Sequence, residues 1–394
     1  MGALCDDELL AVLLWLDAHA LEAAERVCRR WRRLALSPTV CRAHRPRARV
    51  WDGAGDRAAV VAERTAERNW LAGRYARNTL PWPHEWGAVE TQLDGPRLAV
   101  FHAGTAALFD ARTLAPVWRV ELPGPCCPAA AENARLAVFV EVHGDNVVHL
   151  VDAAGTLHAT QVRLRDRPEF TMWRGRHVAY GVYDDDECTV TRMDAASGRV
   201  TRSLPLPPAT VRLPEIRCAT ALADDVGIGI ITWKHLVLDD GRSAAPALLR
   251  MRHSGAWILH ACTHPDGRTI AALSDTGGLQ TVRLWDMRAL GRPRAEIALD
   301  PGPLSASFYG PQLSFGRDVV RISTAQYVTQ FDLSTGQPLA VRWGFEPVRF
   351  GCLQSVSEAF ATVVCEKGPL SAELNLCGTE ITVYLFDGAY RQPQ

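Results

Sequence analysis

The sequence predicts an α+β multidomain chain: a small N-terminal three-helix unit over residues 3–44, a helical linker over 45–73, and a seven-bladed all-β propeller over 74–394. Three observations predict it. Up to about residue 75 the text is rich in Leu, Ala, Glu and Arg, and from about 90 it breaks into short β-like runs separated by Gly, Pro, Asp and Asn. The prolines of Asn78-Thr-Leu-Pro-Trp-Pro-His-Glu-Trp86 forbid a helix across that change. Beyond it, a strand-like run ending in aspartate recurs at nearly constant intervals.

The first helix is expected within Leu4 to Asp17, with Asp6 or Asp7 as N-cap and acids in the first turn. Its apolar residues, Leu9, Leu10, Val12, Leu13, Leu14, Trp15 and Leu16, cover most of the circumference rather than one stripe. A second helix starts after Asp17, and a third carries Val27-Cys28-Arg29-Arg30-Trp31-Arg32-Arg33-Leu34. A unit of about 40 residues lies near the lower limit for a self-sufficient core. A helix apolar on two sides therefore needs a second surface, supplied either by a partner or by this chain's own propeller.

The recurring runs are Ala107-Leu-Phe-Asp110, Val148-His-Leu-Val-Asp152, Val190-Thr-Arg-Met-Asp194, Leu236-Val-Leu-Asp239, Val282-Arg-Leu-Trp-Asp286, Val328-Thr-Gln-Phe-Asp332 and Val383-Tyr-Leu-Phe-Asp387. Their aspartates are 42, 42, 45, 47, 46 and 55 residues apart. Roughly 40–45 residues is the length of one four-stranded propeller blade. A lone blade leaves both faces unburied, so the units must stack into a ring and close it. The text after Ile381 to Asp387 holds no fourth strand, so that strand is expected from the propeller's beginning, Arg74 to Trp82.

Composition narrows the function. Hydrophobic residues at 47% and charged residues at 22% suit a soluble globular chain. Forty-three basic against forty-four acidic side chains leave a net charge of −1, which argues against a nucleic-acid partner. Eleven cysteines at irregular spacing, with no Cys-x-x-Cys, fit neither a disulfide framework nor a zinc ribbon, and a reducing cytoplasmic and/or nuclear setting is expected. The longest apolar stretch, Leu9 to Leu16, falls far short of the roughly 20 residues that cross a bilayer, so no membrane partner is expected. Neither terminus carries a lipidation signal.

Catalytic spacing is absent: there is no Gly-x-Ser-x-Gly, no His-Glu-x-x-His and no Walker loop, so neither an enzyme nor a cofactor is expected. His260-Ala-Cys262-Thr-His264 puts three ligand types on one strand face, which invites zinc. Tetrahedral coordination wants ligands from different segments, however, and a packed inner strand is the favoured reading; no metal is expected. Tyr183-Asp-Asp-Asp-Glu187 lacks the spaced ligands of a calcium loop and reads as a solvated turn, with attraction of a basic segment as its functional reading. Cys126-Cys127 reads as a buried pair. The arginines from Arg29 to Arg49 read as an exposed face, with contacts to a protein partner as the second reading. Lys234 and Lys367 are the only lysines, for which composition bias is the favoured reading and protection from modification the second.

One repeat unit resembles the WD-repeat family. His253-Ser-Gly-Ala-Trp-Ile, His264-Pro-Asp-Gly267, Ser274-Asp275 and Val282-Arg-Leu-Trp-Asp286 match that family's landmarks in order. The resemblance implies a hydrogen-bonded blade brace from His253, Asp275 and Trp285.

Residues 4–34 resemble an F-box. Leu4, Leu13, Leu16, Leu21, Val27, Cys28, Arg29, Trp31, Arg32 and Leu34 stand in register without a gap, and Val27-Cys28-Arg29-Arg30-Trp31-Arg32 is the specific part. Cys5 replaces the family's proline, Asp7 its glutamate, and Ala20 the acid before Leu21. Arg68-Asn69-Trp70-Leu-Ala-Gly73 resembles the stretch that precedes the propeller in F-box/WD-repeat proteins.

Together these resemblances imply the substrate receptor of an SCF-type cullin–RING ubiquitin ligase. Leu4, Leu13, Leu16, Leu21, Val27, Cys28, Trp31 and Leu34 would bind a Skp-type adaptor, while the propeller holds a target protein whose contacts the sequence does not name. The competing expectation is a protein-interaction scaffold with no ligase attached.

Overall fold

A computed structural model describes residues 4–16, 18–44, 55–83, 89–102, 104–132, 134–166, 168, 170–174, 176–184, 187–206, 216–221, 228–232, 235–239, 247–250, 257–264, 269–276, 279–286, 293–299, 312–316, 319–323, 328–339, 351–356, 360–367 and 378–386. Among the described residues the head holds four helices rather than the three expected: α1 (Asp6–Trp15), α2 (Ala18–Val27), α3 (Arg29–Ala35) and α4 (Pro38–Ala43). The fourth starts because Pro38 presets the first helical turn and the Ser37 hydroxyl accepts from the Val40 N–H. Leu9, Leu13, Leu21, Ala24, Leu34, Ala35 and Val40 form the head's own core.

The linker helix α5 (Asp56–Ala72) ends where Gly73 takes the left-handed conformation, φ 63°, and its N–H caps the Trp70 carbonyl. The next strand, β1 (Ala76–Pro83), runs antiparallel to the last strand of the chain, with register from Ala76 opposite Leu385 to Pro83 opposite Gly378.

The remaining strands fall into consecutive antiparallel sheets. The first is β2 (Glu90–Asp94), β3 (Arg97–His102), β4 (Thr105–Asp110) and β5 (Pro116–Glu121). The second is β6 (Cys126–Glu132), β7 (Arg135–Val142), β8 (Asp145–Val151) and β9 (Leu157–Leu164). The third is β10 (Phe170–Arg174), β11 (His177–Asp184), β12 (Glu187–Asp194) and β13 (Arg199–Pro205). The fourth is β14 (Ile216–Ala221), β15 (Ile228–Thr232), β16 (His235–Asp239) and β17 (Ala247–Arg250). The fifth is β18 (Trp257–Thr263), β19 (Thr269–Thr276), β20 (Leu279–Asp286) and β21 (Ala295–Ala298). Then come β22 (Gln312–Phe315), β23 (Val319–Ser323) and β24 (Val328–Asp332), and last β25 (Gly351–Val356), β26 (Phe360–Lys367) and β27 (Gly378–Leu385), which β1 completes.

The expectation of seven four-stranded blades is therefore corrected. Among the described residues six sheets have four strands, and the β22–β24 sheet has three, with an isolated bridge, Phe331 opposite Pro338, at its outer edge. Backbone bonds flank that bridge on both sides, from the Asp332 N–H to the Gln337 carbonyl and from the Leu339 N–H to the Gln330 carbonyl, so the Pro338 nitrogen points away from the ladder, as a proline at an edge must. The first strands β2, β6, β10, β14, β18, β22 and β25 touch in succession, and β25 returns to β2, closing the ring.

Packing follows from strand geometry. On β7, Leu136, Ala137, Val138, Phe139 and Val140 are all buried, because both faces of the sheet are covered. Leu136, Val138 and Val140 pack toward the first sheet, and Ala137 and Phe139 toward the third.

Every recurrent aspartate among the described residues ends the third strand of its sheet or directly follows it. Four of them cap the following turn. Asp110 accepts from the Arg112 and Thr113 N–H groups, and Asp152 from those of Ala154 and Thr156. Asp194 accepts from Ala196 and Ser197, and Asp332 from Ser334 and Thr335. A carboxylate that replaces two turn hydrogen bonds is a physical reason for Asp at that point of the repeat. Asp387 lies outside the described residues.

Candidate functional site

The N-cap of α1 is Cys5, not Asp6 or Asp7. The Glu8 carboxylate accepts from the Cys5 N–H at 2.8 Å, a bond that lowers the Glu8 pKa. Asp6 instead accepts from Arg30 Nε and Arg33 Nη2, each at 2.7 Å, and Arg30 Nη2 also donates to the Leu4 carbonyl at 2.7 Å. The turn that lacks the family's proline is thus tied down from α3.

The residues expected to bind an adaptor separate into three groups. Leu13, Leu21 and Leu34 are buried inside the head, in its own core. Leu16 and Trp31 pack against that core and remain partly exposed. Leu4, Val27 and Cys28 are exposed. Sequence reasoning did not single out Val12, Leu14 and Trp15 as contacts, yet all three are exposed, Trp15 at 90%. Their signal was present in the apolar residues surrounding the first helix. A bare tryptophan among exposed leucine and valine is an apolar patch of the kind that marks an interaction surface.

The head is held by α5. Arg64 pairs with Glu25 of α2, and Arg42 Nε lies 3.7 Å from Asp56 Oδ2. The other side of α5 is anchored in the ring. Asn69 Nδ2 donates to the Phe386 carbonyl at 2.6 Å, and Gln330 Nε2 donates to the Trp70 carbonyl at 2.6 Å. The head's exposed face is therefore presented in a defined direction.

The other sequence candidates resolve differently. His253 of the expected brace lies outside the described residues. Trp285 is buried on β20, while Asp275 sits opposite Gln280 at the other end of the β19–β20 ladder and accepts from it at 3.5 Å. Those two residues make no direct bond to each other, so the brace stays an implication of the resemblance. His260 Nδ1 accepts from the Leu313 N–H at 3.2 Å, and burial pushes its pKa down to about 4. His264 Nε2 lies 3.1 Å from the Gly316 carbonyl, and its ring stands edge-on to Phe315. Both imidazoles are engaged with the next sheet, and no cluster of three His, Cys, Asp or Glu suited to a metal occurs among the described residues.

Asp184 and Glu187 pair at the end of the β11–β12 ladder, and Asp185 and Asp186 between them lie outside the described residues. Cys126 opens β6 half-buried; the side chain of Cys127 is not described. No helix among the described residues is long and apolar enough to cross a membrane. A propeller cleft of about 840 Å³ lies between the β8–β9 and β12–β13 turns, with Asp152, His158, Trp173 and Arg199 in its lining. Asp152 is committed to its own turn, and the hydrogen bond from the Thr156 N–H is the chief cause lowering its pKa.

Comparison with protein-family models finds no match, and comparison with curated proteins finds none either. Among solved structures, the chain is similar to the β-propeller domain of Myceliophteria thermophila Cps50 (Swd1). The identity is 13% and the TM-score 0.55, over 79% of this chain and 99% of that one. At that identity the likeness carries the fold alone: the β-rich part of this chain is a WD-like β-propeller.

Proposed function

We propose that this chain is the substrate-recognition subunit of an SCF-type cullin–RING ubiquitin ligase. Its helical head docks on a Skp-type adaptor, and its propeller, a fold suited to protein interaction, holds the target. One observation carries the reading. Leu4, Val12, Leu14, Trp15 and Val27 of the head are exposed rather than folded back on the propeller, which leaves them open to a second polypeptide. The F-box resemblance at Val27-Cys28-Arg29-Arg30-Trp31-Arg32 supplies the adaptor's identity. No residue of this chain performs ubiquitin transfer; a rigid receptor acts by raising the effective concentration of target lysines at the ligase.

The test is co-purification of the full-length chain with a Skp-type adaptor. Capture by wild type, lost in Trp15→Ala/Val27→Asp at unchanged thermal midpoint, is the expected result. Failure of the wild-type chain to capture any Skp-type adaptor overturns the ligase reading and leaves an interaction scaffold, which the fold supports by itself.

A further inference from the structure

A second feature of the head points to a different partner chemistry. α2, α3 and α5 enclose a cleft of about 590 Å³ whose lining includes Arg26, Arg29, Arg32, Arg64 and Arg68, with Glu25 the one acid among the described lining residues. The arginines of α3 divide by face. Arg30 and Arg33 point to α1 and share Asp6, whereas Arg29 and Arg32, one turn apart and exposed, form no ion pair among the described residues. Glu25 is taken by Arg64, whose side chain is only 6% exposed. The whole chain carries a net charge of −1, so this density of cations is local to the cleft. Like charges gathered on adjoining helices repel one another, and a neutralising anion relieves that repulsion.

We infer that this cleft is a docking site for a carboxylate-rich peptide segment of a protein partner. The exposed guanidinium forks of Arg29 and Arg32 match carboxylates bidentately, and the neighbouring arginines add to the positive field. Val61, 44% exposed in the same lining, offers an apolar contact beside the charges, so a segment mixing acidic and aliphatic residues fits best. Among the described residues the lining holds no aromatic ring on which bases could stack, which disfavours single-stranded nucleic acid. The inference goes beyond the ligase reading and holds for any protein partner of the head.

The experiment titrates the full-length chain into a short fluorescent peptide of alternating Glu and Leu and follows anisotropy. Saturable binding is expected, weakening as salt rises from about 0.1 M to about 1 M, where the screening length falls from about 10 Å to about 3 Å. Arg29→Glu/Arg32→Glu should lower affinity by about tenfold or more, because charge reversal replaces attraction with repulsion. Arg29→Lys/Arg32→Lys should retain most of it. Arg135→Glu/Arg199→Glu, on the propeller, serves as the control and should change nothing. The inference is overturned by absence of saturable binding, by equal binding of a Gln/Leu peptide, by equal loss in the propeller control, or by displacement of the peptide at lower concentration by a single-stranded RNA oligonucleotide. Adaptor capture measured on the same proteins keeps the two readings apart. Capture without peptide binding rejects this inference alone, and peptide binding without capture rejects the ligase reading alone.

Discussion

Trp70 lies face to face on Phe386, with ring centroids 3.6 Å apart and planes 11° from parallel. Trp70 belongs to the last turn of α5, and Phe386 follows β27, the strand on which β1 closes the ring. The guanidinium of Arg321, on β23, stands 4.9 Å above the same indole. The adjoining backbone is pinned as well, Asn69 to the Phe386 carbonyl and Gln330 to that of Trp70. Linker, closing strand and the three-stranded sheet thus meet at one fully buried side chain.

Replacing Trp70 with alanine should therefore cost about 3–5 kcal/mol, the range for emptying a buried large-aromatic site. It also strips the aromatic face from Arg321, which is 0% exposed. Calorimetry should show a lower midpoint and a separation of head from propeller unfolding. A midpoint equal to wild type would mean that α5 only rests on the ring.

Leu13 and Trp15 make a second contrast, two residues apart on one helix. Leu13 is 0% exposed and Trp15 is 90% exposed. Leu13→Ala should destabilise the head by about 2–5 kcal/mol, whereas Trp15→Ala should stay within about 0.5 kcal/mol of wild type. Chemical denaturation read by helix content measures both. Comparable losses in the two variants would show that Trp15 packs inside the head.

These residues also show what the text made legible. Seven aspartates at near-constant spacing revealed the repeat, and at Asp110, Asp152, Asp194 and Asp332 the need behind the spacing is a turn-capping carboxylate. The closing strand was legible because the last repeat ran out of sequence, and β1 fills that place. The Cys5 N-cap was not, since cysteine lies outside the preferred capping set and two aspartates follow it. Register with a motif cannot separate Leu13, Leu21 and Leu34, which build the head, from Leu4 and Val27, which face outward; burial decides that.

The turn-capping acids make stability fall in acid. Asp152, Asp194 and Asp332 have lowered pKa values, caused chiefly by the Thr156 N–H, the Ser197 N–H and the Ser334 hydroxyl respectively. A group held below its unfolded pKa of about 3.9 contributes fully above that value and loses its contribution as pH falls through the folded pKa. Wild type should therefore lose thermal stability below about pH 4 more steeply than Asp152→Asn/Asp194→Asn/Asp332→Asn. Midpoints recorded from about pH 6 down to about pH 3 test it; parallel curves would remove these carboxylates from the acid response.

Asp239 stands at the same point of the repeat but does different work. Its Oδ2 receives Arg192 Nη2 of the preceding sheet at 2.7 Å, its carbonyl receives the same nitrogen at 3.1 Å, and Arg202 Nη2 lies 3.5 Å from Oδ1. Arg192 and Asp239 are 5% and 2% exposed, so the pair bolts two sheets together out of reach of water. Breaking one side of a buried pair leaves an uncompensated charge and costs about 3–5 kcal/mol, while removing both is often close to neutral. Asp239→Asn should thus approach that loss, and Arg192→Met/Asp239→Leu should recover much of it. Urea midpoints in a double-mutant cycle would give a coupling well above experimental error for residues in direct contact. Asp332→Asn, by contrast, keeps an acceptor oxygen for its turn and leaves no buried cation behind, so at neutral pH its loss should be much the smaller. Equal losses at the two aspartates would mean that water reaches Arg192 and that the bolt between sheets is apolar packing alone.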